Sequence, residues 1–422
     1  MRRVPVVAAL AALALVAAAC GDDDESDSTN APVASEAPDA TTAPDASAAP
    51  DATDGGAAGD CTLDEPLRIG YAADFDLGGI GDVPGSLGAK FIVDQINAAG
   101  GVGGLPVEYE IKQISQTPPD PAAAQRAVQE LLDGGADVLL GPPFPDYGLP
   151  LLEVTNGTVP VLFVTATEVA LPDPSRGSFL VTFDDRVQAS AAAEFATKQG
   201  FTTGVTMSST DIPYLNITTA SFTEVFEGAG GTVATDLSFN LGDTDFSAQV
   251  NEIAGMEPHP DVIYSAFFLP EAGVFLKQLR EAGVESTVIS ADGFDASLIW
   301  TIGADAEGVF FTSHTFPGPD NRVQQFLDDY AATGEPAIET VSFGALGADA
   351  AQIAIAATEA ACSTDGAALI AAIQELTVEV TTGTTSYVGT SGTPQRDVTI
   401  LTVTDGQPAL VESFFPTVVA QG

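Results

Sequence analysis

Positive charge is what this sequence has least of. Its 422 residues hold 13 Lys and Arg against 59 Asp and Glu, a formal net charge of −46 at pH 7. Nucleic-acid binding is dominated by Lys and Arg contacts to phosphates, so the balance argues against such a partner. Histidine is nearly absent too. His259 lies between two prolines and His314 follows a strand-like segment, and neither has a cysteine or acid at metal-ligand spacing. There is no G-x-S-x-G, hence no nucleophile elbow. There is no G-x-x-x-x-G-K-[ST], hence no phosphate loop. The run Gly100 to Gly104 is glycine-rich, but it follows a helical pattern and reads as a helix stop. These absences weigh against an enzyme and leave no cofactor or metal expected. After the N-terminal segment, no run reads as long and apolar enough to span a membrane.

What is present begins at the N-terminus. Arg2 and Arg3 precede an apolar stretch from Val4 to Val16, and Ala17-Ala18-Ala19 leads into Cys20. This is the layout of a secretory signal over residues 1–20. A cysteine directly after the small residues resembles a bacterial lipobox, although Ala17 stands where leucine is usual. The expectation is an exported chain, lipidated at Cys20 and held to the outer face of the cytoplasmic membrane. The alternative is a plain signal peptide with an incidental cysteine. Residues 21–60 carry eleven acidic residues, no Lys or Arg, no aromatics and three copies of Ala-Pro-Asp-Ala. Such a segment cannot bury enough apolar surface to offset its chain entropy and reads as a disordered acidic tether.

The remaining 360 or so residues exceed one ordinary core and suggest two domains. If Cys20 takes a lipid, Cys61 and Cys362 are left as a pair in an oxidising compartment, and a disulfide is expected between them. It would contribute on the order of 4–5 kcal/mol through chain entropy. Otherwise they are two unrelated thiols. The body alternates strand and helix. Leu67 to Ala72, Pro106 to Ile114, Asp137 to Gly141 and Val159 to Val164 read as strands. Asp120-Pro121 reads as an N-cap and first-turn proline. The rhythm restarts after about residue 184, with strands at Thr203 to Met207, Thr232 to Leu237, Val262 to Ser265 and Thr287 to Ser290. Short apolar strands between helices predict parallel sheets covered on both faces, with ligands beyond the carboxyl ends of the strands. Later come helices at Asn321 to Ala332, Val341 to Ala361 and Gly366 to Leu376. Extended segments follow at Thr384 to Val388, Val398 to Val403 and Ala409 to Phe414, with Asp405-Gly406 as a hairpin signal.

Several segments, in order, resemble one family. Gly88 to Val107 (GAKFIVDQINAAGGVGGLPV) looks like the first helix and turn of the leucine/branched-chain amino-acid-binding proteins, which are type I periplasmic binding proteins. Asp120 to Ala124, Val138 to Pro142, Pro160 to Thr167, Phe268 to Gly273 and Ser342 to Ala350 resemble further family segments. The resemblance implies an α/β fold of two doubly wound parallel-sheet lobes joined by a hinge, with a ligand cleft between them. It places the lobes at 62–182 plus 315–385 and at 183–314 plus 386–418. It implies an amino acid or related small molecule as ligand, an ABC permease in the membrane as partner, and a monomer.

Residue by residue, the resemblance puts Thr165, Ala166 and Thr167 at the ligand in the first lobe. Asp74 and Phe75 fall at the cleft mouth. Tyr214 and Phe268 are aromatic walls or core residues, and Asp292 is the acid for an ammonium group. Phe343 is a further candidate. Where the family often has a hydroxyl-bearing serine, this chain has Pro143-Phe144-Pro145-Asp146. Asp146 would repel a carboxylate and welcome a cation or amide, or it caps the next helix. Two rival functions remain: a ligand sensor for a signalling system, and an exported enzyme.

Overall fold

The computed structural model describes residues 61–76, 79–114, 120–296, 302–319 and 321–422. The expected signal peptide, Cys20 and the 21–60 tether lie outside the described residues.

The first lobe starts with β1 (Arg68–Ala73), α1 (Gly79–Ala98), β2 (Glu108–Gln113), α2 (Pro121–Asp133), β3 (Val138–Gly141), α3 (Pro145–Thr155), β4 (Val161–Phe163) and β5 (Ser178–Leu180). All five strands are parallel, in the order β2-β1-β3-β4-β5. All four residues of β3 are buried, whereas the edge strand β2 alternates and carries Glu108, Glu110 and Lys112. Central strands covered on both faces read as continuous apolar runs; edges carry charge. Asp120 caps α2 by accepting from the Ala122 N–H at 3.0 Å, and Pro121 occupies the first turn.

The second lobe repeats the plan with α4 (Asp185–Lys198), β6 (Thr203–Ser208), α5 (Pro213–Gly228), β7 (Thr232–Ser238), α6 (Ser247–Ala254), β8 (Val262–Tyr264), α7 (Glu271–Glu281), β9 (Thr287–Ser290) and β10 (Phe310–Ser313). The chain then returns through α8 (Arg322–Ala331), α9 (Val341–Ala361), α10 (Gly366–Gln374) and the hairpin of β11 (Thr377–Val380) and β12 (Gly383–Ser386). Phe326, Tyr330, Leu346, Ile353, Leu369 and Ile373 from these helices share a core with Ile69, Tyr71 and Leu140 of the first sheet. Finally β13 (Val398–Thr404) and β14 (Gln407–Phe414) extend the second sheet antiparallel, giving β14-β13-β10-β9-β8-β6-β7. Asp405 and Gly406, at φ 53° and 69°, make the tight turn between them. Sequence alone misses β11, a half-exposed strand that pairs only with β12.

Helix α9 is long and apolar enough to cross a membrane by length and composition, contrary to the expectation that no such run follows the N-terminal segment. It is a core helix: 83% of its apolar window is buried. It meets α1 backbone to backbone. A Cβ at Gly347 would lie 1.8 Å from the Gly85 carbonyl oxygen, and one at Gly88 would lie 1.9 Å from that of Gly344. The C-terminus of α9 is Cys362, in the left-handed region at φ 45°, and it is disulfide-bonded to Cys61.

The chain crosses between sheets three times, and the crossings are bonded to one another. The Tyr387 hydroxyl donates to Leu180 O at 2.7 Å. Arg396 donates to Val181 O at 2.9 Å and lies 3.5 Å from the buried Asp349 of α9, which also accepts from Thr382. The Thr182 hydroxyl meets His314 Nδ1 at 2.9 Å.

Two predictions follow from this packing. In Gly347→Ala, helix propensity favours alanine by about 1 kcal/mol, but the clash is with backbone that cannot rotate aside, and overpacking costs about 1–3 kcal/mol or more. The variant should melt below the wild type in a thermal scan. For pH, burial raises Asp349 and Asp137 to about 6 from the usual 3.8. The folded state therefore keeps protons at pH 5 that the unfolded chain has released, and stability should rise as pH falls from 7.5 toward 5. The carboxyls held low, Asp261 and Asp245 by backbone hydrogen bonds first of all, oppose this only below the ordinary carboxyl range. A melting temperature that fell over the 7.5–5 window would show that these carboxyls are not held above the ordinary range.

Candidate functional site

Both sheets end their parallel strands toward the crossings, and the loops there carry a continuous set of polar side chains. Thr167, after β4, donates its hydroxyl proton to Asp185 Oδ1 at 2.6 Å and accepts the Asp185 N–H on its carbonyl at 2.8 Å. This ties the first lobe to the first residue of α4. One turn along α4, Gln188 donates to the same Asp185 oxygen at 3.2 Å. Its own carbonyl accepts from the Asp292 N–H at 3.2 Å and from the Thr312 hydroxyl at 2.8 Å. Asp292, just after β9, accepts from the Tyr214 hydroxyl at 2.7 Å and from His314 Nε2 at 3.1 Å. His314 stacks on Phe183, its ring centre 4.7 Å away, and reaches Thr182 with Nδ1. The chain of contacts runs from Thr167 through Asp185, Gln188, Asp292 and His314 back to Thr182.

Burial pushes Asp292 upward, but hydrogen bonds from His314, Tyr214 and Gln188 and the neighbouring imidazole bring its carboxyl below the ordinary range. Asp292 is therefore ionised and can only accept, so His314 Nε2 donates to it. Asp185 goes the other way. Burial raises it well above the ordinary value, and the charges of Glu168, Asp292 and Asp184 add to this against the Thr167 hydrogen bond.

Thr165 and Ala166 lie buried in the same turn as Thr167, and the Thr165 hydroxyl faces Asp82 Oδ1 at 3.5 Å. Asp82, on the first turn of α1, also accepts from the Tyr71 hydroxyl at 2.8 Å and the Asp74 N–H at 2.7 Å. Asp74 is fully buried at the end of β1, and Phe75 beside it is half-buried against the first core. Tyr214 sits in the first turn of α5, its ring 5.2 Å from that of Phe268. Gly293 makes this possible, since a Cβ there would come within 2.6 Å of the Phe268 ring. Phe343 is buried at the start of α9, 5.5 Å from the His314 ring.

Asp146 stands apart. It is exposed in the first turn of α3, and it is not the helix cap: Phe144 occupies that position with no side-chain cap bond, because Pro145 takes the first helical position and sets the cap two residues before Asp146. Asp185 and Gln188 were not singled out from sequence, and His314 was weighed there only as a metal ligand or catalyst. The spacing Asp185-x-x-Gln188 places both on one helix face, which is the one signal that could have found them. Among the described residues no group of three or more His, Cys, Asp or Glu is placed to hold a metal ion. A separate recess of about 360 Å³ lies between α5 and β7, lined by Thr206, Asn216 and Asp236, away from this network.

The comparisons with known proteins agree with this architecture. Residues 66–408 match the family described as periplasmic binding protein. The Leu/Ile/Val-binding protein BraC3 of Rhizobium johnstonii is 29% identical over 258 residues, 59% of this chain and 68% of that protein. The Leu/Ile/Val-binding protein homolog 3 of Brucella melitensis is 26% identical over 355 residues, 78% of this chain and 93% of that one. Among solved structures, the branched-chain amino acid transporter substrate binding protein LivJ of Streptococcus pneumoniae, in complex with isoleucine, superposes with a TM-score of 0.72 at 22% identity, covering 83% of this chain and all of that one. An ABC transporter solute binding protein of R. palustris in complex with benzoate gives 0.70 at 19% identity, over 85% and 98%. The family consists of binding proteins that act outside the cytoplasm. With more than half its length matched by the family profile and both lobes in the family's topology, the chain belongs to the periplasmic binding proteins.

Proposed function

We propose that the protein captures an amino acid or a related small polar molecule between its lobes and delivers it to an ABC permease. The observation that carries this reading is the network of Thr167, Asp185, Gln188, Asp292 and Tyr214, which spans both lobes at the carboxyl ends of their strands. Thr165, Ala166 and Thr167 line the first-lobe wall, Tyr214 and Phe268 stack at the second, and Asp292 receives a positive group. Asp74, Phe75 and Phe343 support the walls; exposed Asp146 lies at the rim. The lobes divide at 62–182 plus 315–385 and 183–314 plus 386–418, and they hinge at the three crossings. The protein works as a monomer, held to the membrane by lipid on Cys20.

A thermal-shift screen of the purified protein with amino acids, amides, polyamines and aromatic acids tests capture. A ligand at 1,000 times its Kd adds about 4 kcal/mol to the folded state, a rise of very roughly 10 °C. The rise should disappear in Thr167→Ala and Asp292→Ala. No rise with any compound class in a folded sample would overturn the reading. For the anchor, Cys20→Ser should move the protein from the membrane fraction to the soluble extracytoplasmic fraction; unchanged membrane retention would rule the lipid out.

A further inference from the structure

We propose that His314 is a positioning residue for capture: it fastens the carboxylate of Asp292 to the first chain crossing, so that the acid is aimed at a ligand only while that crossing is in place. The inference rests on the reading of Asp292 as a ligand residue and adds the group that aims it.

The first observation is that one ring joins two distant parts of the chain. Nδ1 meets the Thr182 hydroxyl at 2.9 Å, two residues past β5. Nε2 donates to Asp292 Oδ2 at 3.1 Å, two residues past β9. A half-turn of the ring would exchange each nitrogen with a carbon and break both bonds. Phe183 stacks on the ring at 4.7 Å, and Phe343 stands 5.5 Å away. The His314 side chain is 0% exposed, so bulk water does not replace a bond that is lost.

The second observation is where the other partners stand. Among the described residues the Thr182 hydroxyl bonds to His314 alone. The other side chains that donate to the Asp292 carboxylate are Tyr214 on α5 and Gln188 on α4, both helices of the second lobe. The residues just before His314 are tied to that lobe as well, Thr312 donating to Gln188 and Ser313 to Asp295. The imidazole is thus the one side chain bonded to both Thr182 and Asp292.

The third observation is what the acid loses without the ring. A carboxylate has two oxygens with about four lone-pair sites and turns about its Cβ–Cγ bond. Tyr214 on Oδ1 and His314 on Oδ2 stop that turn and leave lone pairs for a ligand. Burial pushes the Asp292 carboxyl up, and the His314 bond comes first among the effects that hold it down. Removing the imidazole therefore frees the carboxyl to rotate and moves it toward protonation, which takes away the charge that a positive ligand group meets.

Imidazole 15N NMR on the purified protein with labelled histidine reads the bridge without a ligand, since the chain has only two histidines. One ring N–H should exchange slowly with solvent, and its signal should move in both Thr182→Val and Asp292→Asn. A signal unmoved by Thr182→Val overturns the bridge. Calorimetry then reads capture with L-isoleucine, L-glutamine, putrescine, benzamide and 4-hydroxybenzoate as probes. For a probe that binds, His314→Phe, which keeps the ring stack, should weaken binding about 10- to 100-fold, the worth of a hydrogen bond to a charged group. His314→Gln, whose amide reaches as far as Nε2, should recover most of that loss. Thr182→Val should cost about 3- to 10-fold alone and nothing further in the His314→Phe background. If His314→Phe does not fold, the Thr182→Val affinity and the NMR shift decide alone. Unchanged affinity in Thr182→Val, or losses that add, overturns the role of His314 and leaves capture standing. No binding of any of the five probes by the wild type overturns both.

Discussion

The constraint on which the rest depends is the bonding among the three chain crossings. The end of β5 and the residues after it are gripped at Leu180 by Tyr387, at Val181 by Arg396 and at Thr182 by His314. Tyr387 and Arg396 come from the crossing between β12 and β13 and His314 from the one after β10, so the first crossing is held by both later ones. His314 then passes the restraint to Asp292, and Asp292 to Tyr214. Under the proposed division of the lobes, the cleft wall is an extension of the hinge, and a motion about the crossings would change the distance between the bonded Thr167 and Asp185 directly.

The protein buries acid deliberately near that hinge. Asp82, Asp185, Asp292, Asp295 and Asp349 are all nearly or fully buried. Only Asp349 has an arginine and only Asp292 a histidine within ion-pair distance. A buried ion pair returns little net stability once desolvation is counted. Unpaired carboxyls return none and are held in place by the surrounding fold. Close packing of the kind seen at the α1–α9 contact is what offsets such a cost.

Much of the fold was legible in the sequence, because the signals were local. The cap at Asp120-Pro121, the turn at Asp405-Gly406 and the apolar runs of β1, β3, β6 and β9 depend on neighbours a few residues away. The site was less legible, because its bonds are not local. His314 looked isolated since its partners are 22 and 132 positions distant. Asp185 and Gln188 were hidden in an alanine-rich helix whose apolar spacing dominated the pattern. Asp146 misled for the opposite reason: a local rule for helix caps applied two positions too late, after a proline that had already started the helix.

The bond between Cys61 and Cys362 also decides how the body carries mechanical load. Its two cysteines are 301 positions apart, and the loop it closes contains the first sheet and five of the seven strands of the second. Tension applied between residue 61 and the C-terminus runs through the sulfur bridge into the end of α9 and onward through α10 and β11 to β14. The loop is bypassed. Strand β1, only seven residues from the point of pulling, is shielded from peeling, and the load falls on the C-terminal segment and on the crossing held by Tyr387 and Arg396.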